Sequence, residues 1–239
     1  MKKRVLAALP LTAALLVSVP SSQAAVFRSV PSTQASVDVP EDCAVPPDID
    51  LDQFNVVIGT NRSESLRGTA GPDFICGRLG SDVIKSFGDD DLVLSDTTTF
   101  FGNLEARGGH DVVFAGSGSD QVLPGPGSDT VYGGAGRDFM ALAVGLDVGI
   151  GGGGADNIIG GFGTDVVRAG PGSDFVAGGP ANDVLTGGSG DDFLAGEIPP
   201  GPPPPVPLPP PARNDLCIGS SGFDTAVDCD RLVSIEEEG

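Results

Sequence analysis

Ten aspartates stand nine residues apart without a break: Asp111, Asp120, Asp129, Asp138, Asp147, Asp156, Asp165, Asp174, Asp183 and Asp192. A short fixed period of this kind marks a repeat architecture and is read before any local propensity. The unit is plainest in Gly133-Gly134-Ala135-Gly136-Arg137-Asp138-Phe139-Met140-Ala141, where six turn residues precede three strand residues. A glycine stands two residues before each aspartate, with Ala181 the one departure, which points to backbone at positive φ. Two residues after each aspartate come Val113, Val122, Val131, Met140, Gly149, Ile158, Val167, Val176, Leu185 and Leu194, an apolar ladder broken only at Gly149.

A helix cannot carry this pattern. Nine residues at ~100° each would send alternate aspartates to opposite faces, and each internal glycine costs about 1 kcal/mol. A coil of two short strands can, because two units then close one turn of the coil and every second aspartate stacks on the same edge. Parallel strands lie ~4.8 Å apart. One column of carboxylates would hold Asp111, Asp129, Asp147, Asp165 and Asp183, the other Asp120, Asp138, Asp156, Asp174 and Asp192. Like charges at that spacing repel, so a cation is required between them. Carboxylates and turn carbonyls form an all-oxygen donor set, which suits Ca²⁺ better than Zn²⁺, copper or Mg²⁺.

The unit G-G-x-G-x-D followed by a large aliphatic residue resembles the RTX or haemolysin-type calcium-binding nonapeptide, over about residues 56–196. The resemblance implies an all-β fold, a right-handed parallel β-roll, with Ca²⁺ between stacked turns. Each ion would be held by the aspartate and carbonyls of one unit and of the unit two further on. Candidate pairs are Asp111/Asp129, Asp129/Asp147, Asp147/Asp165 and Asp165/Asp183 on one edge, and Asp120/Asp138, Asp138/Asp156, Asp156/Asp174 and Asp174/Asp192 on the other. The turn 142–146 lacks the leading glycine pair, so ions sharing Asp147 are expected to be held less firmly.

In chain order, residues 1–25 read as an export signal, with Lys2, Lys3 and Arg4 before the apolar run 5–19 and a small-residue cleavage site at 22–25. Residues 26–55 read as a leader that covers the first coil. Asp48, Asp50 and Asp52 mimic the start of an EF-hand loop, but Gln53 stands where that loop needs glycine. The roll is expected over 56–196. It starts with Glu64 in the aspartate position and continues with Asp73, Asp82 and Asp91 in register, so that Asp73/Asp91 forms a ninth candidate site. From Asp91 to Asp111 the spacing is two units plus two residues, which reads as a degenerate coil at 95–106 that interrupts one column of ions. A proline tract fills the insertion 197–213, and Asp215 and Asp224 resume the period in a C-terminal cap, 214–239.

Four cysteines flank the two ends, and in an exported chain an even count argues for disulfides, here Cys43 with Cys76 and Cys217 with Cys229. Without the basic start, 10 basic residues face 33 acidic ones, a net charge of about −23. Such a surface disfavours nucleic acid and anionic membrane and favours cations. After signal cleavage no run is long enough to span a membrane.

Catalytic constellations are missing. There is no Gly-x-Ser-x-Gly elbow and no Gly-Lys phosphate loop, and the one histidine, His110, reads as an exposed turn residue. The sequence therefore reads as a secreted, non-enzymatic calcium-binding roll that folds as ions fill its turns. A polysaccharide or cell-surface binding module is the second reading, and a polysaccharide-cleaving enzyme a more distant third.

Overall fold

The computed structural model describes residues 39–40, 43, 45, 49–96, 108–196, 215–219, 225–229 and 231–233. The expected export signal and the proline tract lie outside the described residues. Two nine-stranded parallel sheets make up the fold, and the chain alternates between them at every strand. One sheet takes β1 (Asn55–Ile58), β3 (Asp73–Cys76), β5 (Leu92–Leu94), β7 (Gln121–Leu123), β9 (Phe139–Ala141), β11 (Asn157–Ile159), β13 (Phe175–Ala177), β15 (Phe193–Ala195) and β17 (Thr225–Val227). The other takes β2 (Ser65–Arg67), β4 (Val83–Gly88), β6 (Val112–Ser117), β8 (Thr130–Ala135), β10 (Val148–Gly153), β12 (Val166–Pro171), β14 (Val184–Ser189), β16 (Leu216–Ile218) and β18 (Arg231–Val233). We call them the odd and the even sheet. The result is a parallel β-roll.

Two nonapeptides close each coil, as the period requires. Val148 of β10 lies beside Val166 of β12, eighteen residues on, and Asn157 of β11 lies beside Phe175 of β13. The apolar ladder is the core: Val113, Val131, Val167 and Leu185 point inward from the even sheet and meet Val122, Met140, Ile158, Val176 and Leu194 from the odd one, all fully buried. Short strands with one inward side chain each bury a continuous core only by stacking, which is why the fold is a repeat and not a single unit.

The one gap in the ladder is filled locally. A Cβ placed on Gly149 would come within 3.0 Å of Leu142 Cδ1, and Leu142 is itself fully buried in the core. The missing glycine at the head of that turn and the missing side chain on its strand therefore compensate each other. Asp147 keeps its place in the stack.

The leader packs on a flank of the roll and extends past its first coil. Phe74, Cys76, Leu92, Leu94, Leu123 and Ala141 point outward from the odd sheet yet are buried, covered by Val39, Val45, Ile49, Leu51 and Phe54. The Cys43–Cys76 disulfide ties the leader there, and Cys217–Cys229 joins the last coils. Asp50 accepts from the Asp52 N–H at the head of a short 3-10 turn, Leu51–Gln53, which is no EF-hand loop.

The spacing of Asp91 and Asp111 has a different cause from the degenerate coil expected. Ser95 and Asp96 pair as the first two residues of a turn, donating to the Leu123 and Pro124 carbonyls. Gly108 and Gly109 continue the same turn, since a Cβ on either would strike Pro126 O or Gly80 O of the neighbouring coils. Residues 97–107 are thus an insertion inside one turn, and the aspartate columns run past it unbroken. A second insertion obeys the same rule. Gly196 opens a turn that ends at Asp215, whose Oδ2 would lie 2.6 Å from a Cβ on that glycine.

Candidate metal sites

Each column is a chain of identical hydrogen bonds. The Asp111 N–H donates to Asp129 Oδ1 at 2.8 Å, Asp129 to Asp147 at 2.8 Å, Asp147 to Asp165 at 2.9 Å and Asp165 to Asp183 at 2.9 Å. On the other edge Asp120 donates to Asp138 at 2.9 Å, Asp138 to Asp156 at 2.9 Å, Asp156 to Asp174 at 2.8 Å and Asp174 to Asp192 at 3.0 Å. Each of these bonds joins two aspartates eighteen residues apart, as two nonapeptides per coil require. The insertion leaves the stacks intact, because Asp82 donates to Asp111 at 2.6 Å and Asp91 to Asp120 at 2.9 Å. Asp215, absent from the expected site residues although it resumes the period, extends the first column by accepting from Asp183 at 2.8 Å.

Every hydrogen bond uses Oδ1. The second oxygen of Asp82, Asp91, Asp111, Asp120, Asp129, Asp138, Asp147, Asp156, Asp165 and Asp174 is buried without a hydrogen-bond donor. Its surroundings repeat where glycine leads the turn, before Asp82, Asp138, Asp156 and Asp165, while Ser86, Ser95, Ala115, Pro124, Leu142 and Ala169 take that place before Asp91, Asp111, Asp120, Asp129, Asp147 and Asp174. A Cβ built on Gly133 would sit 2.5 Å from Asp138 Oδ2 and 2.6 Å from the Gly151 carbonyl oxygen. One built on Gly151 would sit 2.5 Å from Asp156 Oδ2 and 2.6 Å from Ala169 O. The leading glycine thus opens a pocket in which a carboxylate oxygen and a carbonyl of the next coil converge. Two acceptors facing one small buried space need a cation between them. No group of three His, Cys, Asp or Glu side chains gathers among the described residues, so carbonyls must complete any coordination shell. That hard, oxygen-only donor set fits Ca²⁺.

Glycine serves the turns in two ways. At Gly136, Gly154 and Gly163 φ is +135°, +135° and +130°, and Ala181 and Asp89 take positive φ where glycine is missing. At Gly127 and Gly145 φ lies outside that region, against the expectation, but a Cβ would strike the Gly109 or Gly127 carbonyl of the coil before. Close stacking, not φ, excludes a side chain there.

Electrostatics agree with the geometry. Burial pushes the carboxyls of Asp82, Asp91, Asp111 and Asp138 up to about 7, and that of Asp147 to about 8, against partial relief from the backbone N–H on Oδ1. Asp120, Asp129, Asp165 and Asp174 rise to about 6, and Asp156 shifts the same way. Without a counter-ion each of these carboxyls keeps its proton to a higher pH than an exposed one would.

Asp73 stands apart. Its Oδ1 accepts from Asn55 Nδ2 at 2.7 Å and its Oδ2 from the Thr69 N–H at 2.6 Å, so protein donors already serve both oxygens. Glu64 turns its carboxylate back to the Thr60 N–H at 2.8 Å. His110 is exposed, and its Nδ1 accepts from the Ser128 N–H.

Stacked parallel coils with two columns of half-satisfied buried carboxylates define a metal-binding β-roll. The model of the RTX calcium-binding nonapeptide repeat matches residues 58–93, 103–122, 125–148, 143–176 and 168–198, more than half of the chain, which belongs to this family. Its repeats are calcium-binding repeats. A search of curated proteins finds no match to the chain. Among the described residues no helix is long and apolar enough to cross a membrane.

Proposed function

We propose that the chain is an exported, non-enzymatic calcium-binding protein whose roll folds as Ca²⁺ enters between its coils. The observation that carries this reading is the repeated Oδ2 atom, buried and without a donor, which faces a carbonyl of the next coil wherever glycine leads the turn. On one edge Asp82, Asp111, Asp129, Asp147, Asp165 and Asp183 would hold ions, and on the other Asp91, Asp120, Asp138, Asp156, Asp174 and Asp192. Bound calcium would supply the positive charge that the columns lack. At the submicromolar calcium of a cytoplasm the columns repel. Extracellular modules bind at ~10⁻⁴ to 10⁻³ M, which places the transition after export. Circular dichroism and hydrodynamic radius test this: strand signal and compactness should be low in chelator and rise together in millimolar Ca²⁺. Full strand content in chelator at pH 7.5 would refute it.

A second reading, attachment to an acidic polysaccharide, is favoured by the outer face of the even sheet. Strand register aligns Arg67, Lys85, Phe114, Tyr132, Ile150 and Arg168 in one outward row. The Phe114 and Tyr132 rings stack with centroids 4.8 Å apart, and the Lys85 amino group lies 5.2 Å from the Phe114 centroid. Neither this row nor the other outward row, Val83, Val112, Thr130, Val148, Val166 and Val184, contains a carboxylate. On so acidic a chain, an aromatic and cationic strip suits stacking on sugar rings that carry acid groups. Retention on an insoluble polyuronate in calcium, lost in the double variant Phe114→Ala and Tyr132→Ala, would support it; equal retention of both proteins would not.

A further inference from the structure

The turn opened by residues 97–107 carries an aspartate that the nonapeptide does not supply. At its second position stands Asp96, where the other turns with a described second residue have glycine, Thr60, Thr69, Arg78, Phe87 or Ala143. It is 1% exposed. Its Oδ2 accepts from the Gly109 N–H at 2.8 Å, and its Oδ1 is buried with no hydrogen-bond partner. Ser95, just before it, stands where glycine leads other turns, so a side chain that carries an oxygen enters the space left open there; it is fully buried with an unpartnered Oγ, and Asp111, which closes the same turn, has an unpartnered Oδ2. On the side of the preceding coil, the Ser95 carbonyl oxygen and Asp82 Oδ2 would lie 2.5 and 2.6 Å from a Cβ on Gly77. This turn thus buries two carboxylates where other turns bury one, with a hydroxyl beside them.

We propose that Asp96 is an off-register calcium ligand, which together with Asp111 and Ser95 makes this turn the tightest cation site of the roll. The proposal rests on the calcium reading of the columns. Holding an inserted loop closed would explain only Oδ2, which grips Gly109, and would leave a second carboxylate oxygen buried without a partner. Burial weighs most on the Asp96 carboxyl and the bond from Gly109 comes next, and the charges of Asp111, Asp129 and Asp82 lie close enough to act on it as well. An added anionic ligand raises the affinity of an oxygen site for Ca²⁺. A tight site at this level would also hold the base of the insertion while the weaker turns remain empty.

The test compares Asp96→Asn, which keeps an oxygen for the Gly109 N–H and removes the charge, with Asp156→Asn in the other column. Bound Ca²⁺ is counted by equilibrium dialysis across free concentrations. The parent should show one ion bound ahead of the rest. Asp96→Asn should raise the concentration that fills this ion by on the order of tenfold, while Asp156→Asn weakens only later ions. An unchanged first ion in Asp96→Asn, beside weakened later ions in Asp156→Asn, would overturn the role of Asp96 and leave the calcium reading intact. A parent that binds no calcium would overturn both. A measurement on the intact chain is independent of the variant's folding: the Gly109 amide resonance should complete its shift with the first equivalent of Ca²⁺. A shift that follows the later ions would sink the proposal.

Discussion

Replacing Asp156 by asparagine should change stability in opposite directions with and without calcium. Asp156 Oδ1 accepts the Asp138 N–H at 2.9 Å, and asparagine keeps an oxygen for that bond. Its Oδ2, buried and without a donor, faces the space shared with the Ala169 carbonyl oxygen. In asparagine an NH₂ group takes that place and can donate to Ala169. In chelator the change removes an unsatisfied buried acceptor, a gain of about 1–3 kcal/mol. In calcium it replaces a ligand shared by two interfaces, Asp138/Asp156 and Asp156/Asp174, with a donor facing the ion. A tenfold loss at each interface is about 1.4 kcal/mol, so the calcium-loaded roll should lose about 3 kcal/mol. For a chain of this size that lowers Tm by roughly 6–12 °C. The assay is a thermal melt in 10 mM Ca²⁺ beside an osmolyte-driven folding titration in chelator, where the variant should need less trimethylamine oxide than the parent. Shifts of the same sign in both conditions, or an unchanged melt in calcium, would mean that the aspartates act as turn formers only.

Three further outcomes follow from the same geometry. Asp82, Asp111 and Asp147 titrate in the folded state at about 7, 7 and 8 against an ordinary 3.8. Because these raised values mean that the folded state binds protons more tightly, metal-free stability is greatest below pH 4 and falls as pH rises toward 8. Strand signal in chelator should therefore grow on acidification, and loss of strand between pH 8 and pH 5 would contradict the burial of these groups. Gly136→Ala places a Cβ against Gly118 O at φ +135° and should cost about 1–3 kcal/mol, whereas Gly153→Ala, with nothing within 4 Å of its Cβ, should stay within about 0.5 kcal/mol; equal melting points would refute the stacking geometry. Denatured but unreduced protein should show no reactive thiol, and Cys217→Ser with Cys229→Ser should cost about 3 kcal/mol for a twelve-residue separation, measured as a calcium-saturated melt.

The coil, the inward ladder and the pairing of every second aspartate were legible in the sequence because all three follow from one period. Val113 and Val131 must share a face if Asp111 and Asp129 share an edge. Both disulfides were legible from the placement of the cysteines at the two ends. Periodicity fails where something breaks the count. The eleven residues 97–107 shift Asp111 off the nine-residue rule, and the same count hides Asp96 as a turn residue, since only the pairing of Ser95 with Leu123 reveals where the turn begins. Nor does spacing tell that protein donors satisfy Asp73, because Asn55 reaches it from the neighbouring coil. The leader's position was hidden for a different reason: Phe74, Leu92 and Leu94 read as outward strand residues, and their apolar character is the only sign that something covers them.

Both insertions open turns on the same edge. Residues 97–107 leave the turn that ends at Asp111, and the segment after Gly196 leaves the turn that ends at Asp215. Five coil steps separate these aspartates, about 24 Å along the stack. The hydrogen bonds from Asp82 to Asp111 and from Asp183 to Asp215 match those of an ordinary coil in pattern, although the chain between them is longer. The roll therefore counts coils and is indifferent to how many residues a turn contains. That edge behaves as a rack with two mounting points at a fixed separation: a foreign segment could be exchanged at either point without disturbing the stack, and deleting one whole coil between them would bring the two turns about 5 Å closer.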